Sequence, residues 1–318
     1  MISKKKIFLV FIAVVAAFTL CFTTVKVIKH HQKIVETGLS NDVPYGFGKT
    51  ARVILIGGQS NAAGTTRDDY LKLTSTPEKY AEYEEGYDNV YINYFASGTN
   101  ESRGFVKCRN KQGEKFEPGF FGPELGMAEK LNELYPDETV FIIKWAWGGT
   151  NLFDQWRSPS GGTGAGPLYQ SFIAFVKNSV EYLELKNYDV KIEAMCWMQG
   201  ESDSIEEDKA LEYGKNLANL INDVRLDLAE YASDDGIAFI DAYIADSFFW
   251  THYRTVNAAK QAVADSSPIN VAIDTIAHGL TITEEPHENP DIAHYDSQSE
   301  IKLGHLFAAE VVKFFDEQ

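Results

Sequence analysis

The sequence is organised around one segment, Arg52-Val53-Ile54-Leu55-Ile56-Gly57-Gly58-Gln59-Ser60-Asn61. Its first half is a short run of β-branched and other apolar residues, which predicts a buried strand over 52–57. The glycines and polar residues that follow predict a sharp turn at the carboxyl end of this strand, where open α/β sheets bind their ligands. Ser60 is therefore either the capping residue of an ordinary strand-to-helix turn or an exposed nucleophile.

A serine nucleophile needs a base that accepts its proton and a carboxylate that orients this base. The segment Pro290-Asp291-Ile292-Ala293-His294 holds both residue types three positions apart. In a turn, this spacing lets the Asp291 carboxylate reach the Nδ1–H of His294. The alternatives are a solvated loop without a catalytic role and a metal site that recruits His287 and His305. No compact ligand spacing supports a metal, and we expect neither a metal nor a cofactor.

Two further predicted strands, at 139–145 and 191–197, also end in polar turns. The first continues into Gly148-Gly149-Thr150 and the second into Gln199-Gly200-Glu201. A glycine lets a backbone N–H group approach a ligand closely, which suits the stabilisation of an oxyanion. The side-chain amide of Gln199 is a candidate donor to the same oxyanion. Polar motifs at several strand ends favour the interpretation of Ser60 as a nucleophile.

Four motifs together resemble a known family: Gly-Gln-Ser-Asn, Gly-Gly-Thr, Trp-Met-Gln-Gly-Glu-Ser-Asp and Asp-Ile-Ala-His-Tyr-Asp. They are similar to the sialate O-acetylesterase and acetylxylan esterase family, which includes carbohydrate esterase family 6 and belongs to the SGNH hydrolases. The resemblance spans about residues 52–315. It implies a flavodoxin-like α/β/α fold and a serine esterase that removes O-acetyl groups from carbohydrates through an acetyl-enzyme intermediate.

The resemblance also assigns roles to residues of these motifs. Ser60 is implied to be the nucleophile, His294 the general base and acid, and Asp291 the residue that orients His294. The oxyanion hole is implied to consist of two backbone N–H groups and one side-chain amide: Ser60, Gly149 or Gly148, and Gln199. Neighbouring residues are implied to support the site: Gln59, Asn61 and Glu201. Glu201 is equally well interpreted as a hydrogen-bonded structural carboxylate.

Strand and helix patterns alternate along the chain, which predicts a three-layer α/β/α sandwich around a mainly parallel five-stranded sheet. The expected strands are 52–57, 139–145, 191–197, 237–241 and 270–274, with a further short candidate at 90–95. The expected helices are 121–135, 168–185, 206–231, 253–265 and 299–317. Two segments without clear periodicity are candidates for the walls of a substrate cleft: 96–119 and 156–162.

The N-terminal segment predicts where the protein works. Lys4-Lys5-Lys6 precedes an uncharged, mostly apolar run over 7–25, which fits a signal peptide and is also long enough to cross a membrane. We expect residues 1–38 to be a signal peptide or membrane anchor with a short linker, and residues 39–318 to form the esterase domain. This domain is expected outside the cytoplasm, either anchored to the membrane by an uncleaved segment or secreted.

The net charge argues against one class of partner, and the cysteine content bears on disulfide bonds. The chain of 318 residues has a formal net charge of −17, so repulsion from phosphates argues against nucleic acid as a partner. Only Cys108 and Cys196 lie beyond the apolar N-terminal run, which indicates no disulfide framework.

The expected partner is an acetylated carbohydrate substrate. The leading interpretation is acetylated xylan or a related plant polysaccharide or oligosaccharide. One alternative keeps the triad and changes the substrate to O-acetylated sialic acid or cell-wall glycan. An alternative of another class is a non-catalytic carbohydrate-binding protein at the cell surface. The sequence leaves open the sugar, the hydroxyl position and the oligomeric state.

Overall fold

An eight-stranded sheet forms the centre of the fold in the computed structural model, which describes residues 28–40 and 43–315. The strands of this sheet and of a separate two-stranded ribbon are, in chain order, β1 (Thr50–Gly58), β2 (Thr66–Arg67), β3 (Tyr87–Ala96), β4 (Asn100–Glu101), β5 (Val106–Cys108), β6 (Phe120–Phe121), β7 (Val140–Ala146), β8 (Asp189–Met198), β9 (Ala238–Ala242) and β10 (Asn270–Ile273). The sheet order is β10-β9-β8-β1-β7-β3-β4, with β5 also paired to β3, while β2 and β6 form the ribbon. The strands from β10 to β3 in this order are parallel, whereas β4 and β5 are antiparallel to β3.

The sheet confirms the predicted α/β class and corrects the predicted number of five strands. The expected strands and the candidate at 90–95 are its six parallel members. The additional strands β4 and β5 have two and three residues, too few for a recognisable periodic pattern. The first parallel strand lies between the third and the fourth, whereas in flavodoxin it lies between the second and the third. β1 is therefore central in the sheet.

Helices flank the sheet and complete the three layers. They are α1 (Ser60–Ala63), α2 (Asp68–Thr74), α3 (Pro77–Glu85), α4 (Pro123–Leu134), α5 (Pro167–Leu185), α6 (Glu207–Asp227), α7 (Tyr253–Ala264) and α8 (Ser297–Val311). The longer ones match the five expected helices, except that α6 and α8 end earlier and are each followed by a short 3-10 turn. α4 packs on α8 and α6 packs on α7.

The central strands are buried along almost their whole length. Every residue of β7 is buried, and Thr50 is the only exposed residue of β1. Helices on both faces explain why these strands are continuous apolar runs instead of alternating patterns. The carboxyl end of β1 is therefore held by a rigid, packed scaffold.

The first described helix contacts this domain through Ile34 and the turn that follows it. Residues 28–36 are helical, Ile34 belongs to the hydrophobic core, and the Asn178 side chain donates a hydrogen bond to the Thr37 carbonyl at 2.9 Å. Among the described residues, no helix has the length and apolar character needed to cross a membrane. The expected apolar segment 7–25 lies outside these residues, so the signal or anchor and the boundary at residue 38 stay predictions.

Candidate active site

Ser60 lies where β1 ends and α1 begins. Gly58 precedes it with φ +140°, and a Cβ atom there would collide with the Met198 carbonyl oxygen, so this turn requires glycine. The Gln59 N–H donates to the same Met198 carbonyl at 3.0 Å. β1 thus stays joined to β8 up to the residue before the serine, and Ser60 emerges from the sheet edge partly exposed.

The predicted base and carboxylate are in direct contact. His294 Nδ1 and Asp291 Oδ2 are 2.7 Å apart, and Asp291 Oδ1 accepts the Ala293 N–H at 3.1 Å. Burial alone would raise the pKa of Asp291. The hydrogen bond to His294, the charge attraction to His294 and the hydrogen bonds from backbone N–H groups outweigh burial and lower this pKa below its ordinary value. Because an ionised carboxylate only accepts hydrogen bonds, Nδ1 carries the imidazole hydrogen and Nε2 is available to accept a proton.

Ser60 and His294 line one cleft of about 620 Å³ at the carboxyl edge of the sheet. Gly148 and Gly149 line the same cleft. A Cβ atom on Gly148 would lie 3.6 Å from the Cβ of Ser60. The structure therefore brings together the predicted nucleophile, base, orienting carboxylate and both candidate glycines.

The two glycines differ in the contacts of their N–H groups. The Gly148 N–H donates to the Ser97 hydroxyl at 2.8 Å. Gly149 has φ +68°, and within the part of the chain that the structure describes its N–H has no hydrogen-bond partner. The geometry therefore favours Gly149 as the backbone donor to a bound oxyanion.

Gln199, which was predicted as an oxyanion donor, lies beneath the cleft. Its side chain is completely buried, and Nε2 donates to Asp203 Oδ2 at 2.6 Å and to the Thr150 carbonyl at 3.0 Å. Its Oε1 accepts the Tyr213 hydroxyl at 3.1 Å. Both amide hydrogens are used inside the protein, so Gln199 has no donor left for a substrate.

Gln59 belongs to the same buried network and also lines the cleft. Its Oε1 lies 3.3 Å from Nε2 of Gln199 and 3.3 Å from the backbone nitrogen of Ser202. Because the Ser202 N–H faces this oxygen, the amide nitrogen is the end left for the cleft. Among the described residues this nitrogen has no hydrogen-bond partner. Gln59 therefore presents an amide donor to the cleft.

Asn61 and Glu201 join the turn after β1 to the loop that carries His294. Asn61 Nδ2 donates to Glu201 Oε1 at 2.8 Å, and Asn61 Oδ1 accepts the Tyr295 N–H at 3.2 Å. Glu201 is buried, which raises its pKa, and its Oε2 has no hydrogen-bond partner in the described ranges. The pair therefore holds the His294 loop in position relative to Ser60.

Two residues at this site were not predicted from the sequence. Asp203 accepts the backbone N–H groups of Leu152 and Phe153 at 2.8 and 3.0 Å, and so ties the loop after β7 to the loop after β8. Glu114 lines the cleft together with other residues of the expected wall 96–119. The segment 156–162 was the second expected wall of the cleft. Its first residue, Trp156, is completely buried and belongs to the core.

The fold and this edge of the sheet define the class of protein. A serine after the first strand of an α/β/α sandwich shares a cleft with a histidine–aspartate pair from near the end of the chain, which is the arrangement of an SGNH hydrolase. The chain belongs to the family described as carbohydrate esterase, sialic acid-specific acetylesterase, whose model matches residues 50–313. It is accordingly a carboxylic ester hydrolase of the carbohydrate O-acetylesterase type.

Solved structures share this fold at low sequence identity. A protein from Arabidopsis thaliana has a TM-score of 0.60 and 19% identity, and the match covers 83% of this chain and 100% of that one. NanS has a TM-score of 0.59 and 16% identity, with 86% and 98% covered. No curated protein matches the chain in sequence. At these identities the likeness to the solved structures describes the fold alone.

Proposed function

We propose that the protein removes O-acetyl groups from carbohydrates through a Ser60–His294–Asp291 triad and an acetyl-enzyme intermediate. The observation that carries this proposal is the 2.7 Å contact between His294 Nδ1 and Asp291 Oδ2 at the cleft that Ser60 lines. Membership of an acetylesterase family supports the choice of an acetyl ester on a sugar as the bond that is cleaved.

The proposed reaction has two halves that use the same groups. His294 Nε2 accepts the proton of the Ser60 hydroxyl as Oγ attacks the acetyl carbonyl carbon, and ionised Asp291 stabilises the imidazolium. The tetrahedral intermediate collapses as His294 gives this proton to the sugar oxygen, which leaves as a hydroxyl group. Water then attacks the acetyl-enzyme with His294 again as the base, and acetate leaves with Ser60 restored.

The proposed oxyanion hole consists of three donors on the cleft. They are the Ser60 N–H, the Gly149 N–H and the Gln59 side-chain amide. Support for Gln59 comes from its free amide nitrogen, and support for Gly149 comes from its free N–H. Preorganised donors of this kind stabilise the charge that develops on the carbonyl oxygen without reorganisation during the reaction.

The proposed substrate is an acetylated plant polysaccharide such as xylan, or its oligosaccharides. A second depression of about 630 Å³ borders the same histidine loop and shares Thr65 with the Ser60 cleft, so the binding surface extends beyond one sugar ring. Aromatic side chains line both depressions, among them Phe116, Phe249 and Trp250. O-acetylated sialic acid is the second candidate, which the family description favours.

The test compares wild type with Ser60→Ala on an aryl acetate and on a panel of acetylated xylan, mannan, pectin, sialic acid and peptidoglycan. We expect acetate release to be fastest from xylan, and the serine variant to lose more than about 1,000-fold in kcat. Equal rates for the two proteins would leave only the non-catalytic carbohydrate-binding alternative. Faster release from sialic acid would favour the second candidate.

We also propose that this activity lies outside the cytoplasm, with residues 1–38 acting as a signal peptide or membrane anchor. The support is the lysine cluster 4–6 followed by the apolar run 7–25. Mass spectrometry of the N-terminal peptide of the mature protein tests this proposal. A peptide that begins shortly after the apolar run indicates secretion, and one that still contains the run indicates an anchor.

A further inference from the structure

Glu114 places a carboxylate in the cleft beside the proposed oxyanion hole. A methyl group on Gly148 would lie 3.1 Å from Glu114 Oε1 and 3.6 Å from the Cβ of Ser60. The carboxylate and the proposed nucleophile therefore flank the same glycine. An acetyl group that reaches Ser60 therefore enters a cleft that Glu114 also lines.

The backbone holds Glu114 firmly at this place. Its N–H donates to the carbonyl of Gly64, in the turn directly after α1, at 2.8 Å. The next residue, Lys115, donates its N–H to the Thr99 hydroxyl at 3.0 Å. In contrast, the Glu114 carboxylate has neither an ion pair nor a hydrogen bond with any described residue. A fixed backbone with a free carboxylate leaves the charge available to a ligand.

No described residue that lines the cleft is a lysine or arginine that could neutralise this charge. Among the described residues that line the cleft, Glu114 and His294 are the only ionisable ones, and His294 is neutral when it acts as a base. The cation of the neighbouring depression is Arg67. Its guanidinium is already bound by Asp69 through two contacts, Nε to Oδ1 at 3.0 Å and Nη2 to Oδ2 at 2.6 Å. The acetyl site is therefore negative.

We infer that Glu114 selects acetylated sugars that carry no negative charge, accepting hydrogen bonds from their free hydroxyl groups and repelling carboxylated sugars such as sialic acids. This inference rests on the proposed esterase function. Hydrogen bonds to an ionised acceptor are roughly twice as strong as neutral ones, which favours a polyhydroxylated neutral ring. A sialic acid carboxylate is ionised at neutral pH and is repelled by Glu114.

The test measures kcat/KM of wild type and Glu114→Gln on a neutral acetylated xylo-oligosaccharide and on O-acetylated N-acetylneuraminic acid. We expect the ratio of the sialate value to the xylo-oligosaccharide value to rise on the order of 10- to 100-fold in the variant, because like-charge repulsion is removed. Glu117→Gln is the matched control, since Glu117 is an exposed carboxylate of the same loop that does not line the cleft. Its ratio should equal that of wild type.

A second measurement needs no variant. Repulsion between charges in an open cleft is screened by salt, so wild type should discriminate less against the sialate as ionic strength rises. An unchanged ratio in Glu114→Gln, or discrimination that is independent of salt, overturns the role of Glu114. Aryl acetate hydrolysis by wild type, measured alongside, separates the role of Glu114 from the proposed esterase function. If wild type hydrolyses the aryl acetate, either of these results overturns the role of Glu114 alone. If wild type does not hydrolyse it, both the esterase function and the role of Glu114 are overturned.

Discussion

The contact between Asp291 and His294 determines which imidazole nitrogen carries hydrogen. Asp291→Asn keeps the size of the side chain but removes the charge and can present a donor to Nδ1, which favours the wrong tautomer. We expect kcat for an aryl acetate to fall on the order of 1,000- to 10,000-fold while the circular dichroism spectrum is unchanged. A loss smaller than about tenfold would indicate that the charge of Asp291 is not what orients His294.

The roles of Gln59 and Gln199 can be distinguished by one isosteric substitution at position 59. Glu at position 59 keeps an oxygen for the Ser202 N–H, but replaces the amide donor of the cleft with a second negative oxygen. We expect Gln59→Glu to lower kcat by at least about 100-fold, the usual effect of losing one oxyanion donor. Single-turnover measurements of acetyl-enzyme formation check this value.

Gln199→Leu is the matched variant for this comparison. It removes the buried amide that satisfies Asp203 and Thr150, so its main effect should be on the free energy of unfolding, lowered by about 1–3 kcal/mol. Unchanged turnover in Gln59→Glu would show that Gln59 does not stabilise the oxyanion and that another group on the cleft does.

The residues of this site show what a sequence can and cannot predict. The spacing of Asp291 and His294 predicted their pairing, because three positions in a turn bring the side chains together. The sequence also placed Gln199 at the correct strand end. The direction of its amide could not be predicted, since it depends on a carbonyl at Thr150 and a carboxylate at Asp203 that meet only in the folded protein.

At the scale of elements, α4 and α8 pack with their backbones in contact. A Cβ atom on Gly126 would collide with the Ile301 carbonyl oxygen, and one on Gly304 with the Pro123 carbonyl oxygen. Because a carbonyl of a packed helix cannot rotate away, Gly126→Ala should push the helices apart and lower the free energy of unfolding by about 1–3 kcal/mol. Urea unfolding measures this loss.

Gly214→Ala in α6 is the control for this substitution. Its added Cβ would meet mainly the Ala259 side chain at 3.3 Å, so a small adjustment of that contact offsets the better helix propensity of alanine. If Gly126→Ala were no more destabilising than Gly214→Ala, the close packing of α4 on α8 would not require glycine at position 126.

Elements with apolar periodicity were predictable, and those without it were not. α2 and α3 were missed because each buries only two residues, Asp68 and Leu71 in α2 and Tyr80 and Tyr83 in α3. The Tyr80 hydroxyl donates to Asp68 Oδ2 at 2.6 Å, and the Tyr83 hydroxyl donates to Glu129 Oε2 at 2.9 Å. These contacts join separate elements, so no pattern local to α3 contains them.

At the scale of the whole molecule, a buried charged cluster connects the sheet to the helices. Lys144 of β7 lies 2.8 Å from Glu124 of α4, and both side chains are completely buried. Lys144 Nζ also donates to the carbonyls of Ala63 and Gln112 at 3.1 and 3.0 Å. This lysine therefore ties the central sheet both to the turn after Ser60 and to the loop that carries Glu114.

Glu300 of α8 is the third member of this cluster and makes the stability of the fold depend on pH. It is completely buried, and neither carboxylate oxygen has a hydrogen-bond partner among the residues that the structure describes. Burial, with a smaller contribution from the charge of Glu124, raises the pKa of Glu300 well above its ordinary value of 4.5, although Lys144 opposes this shift. The folded protein therefore favours the protonated form of Glu300.

A carboxyl group whose pKa is raised by folding stabilises the protein fully below its ordinary pKa, and this contribution is lost as pH rises toward the folded value. Glu300→Gln has almost the same shape and cannot lose a proton, so it removes this loss. We expect Tm of the variant minus Tm of wild type to increase steadily as pH rises from about 4.5 toward 9. Titrating groups that do not interact with Glu300 are common to both proteins and cancel in the difference. A difference that is constant over this range would mean that Glu300 has the same pKa in the folded and unfolded chains.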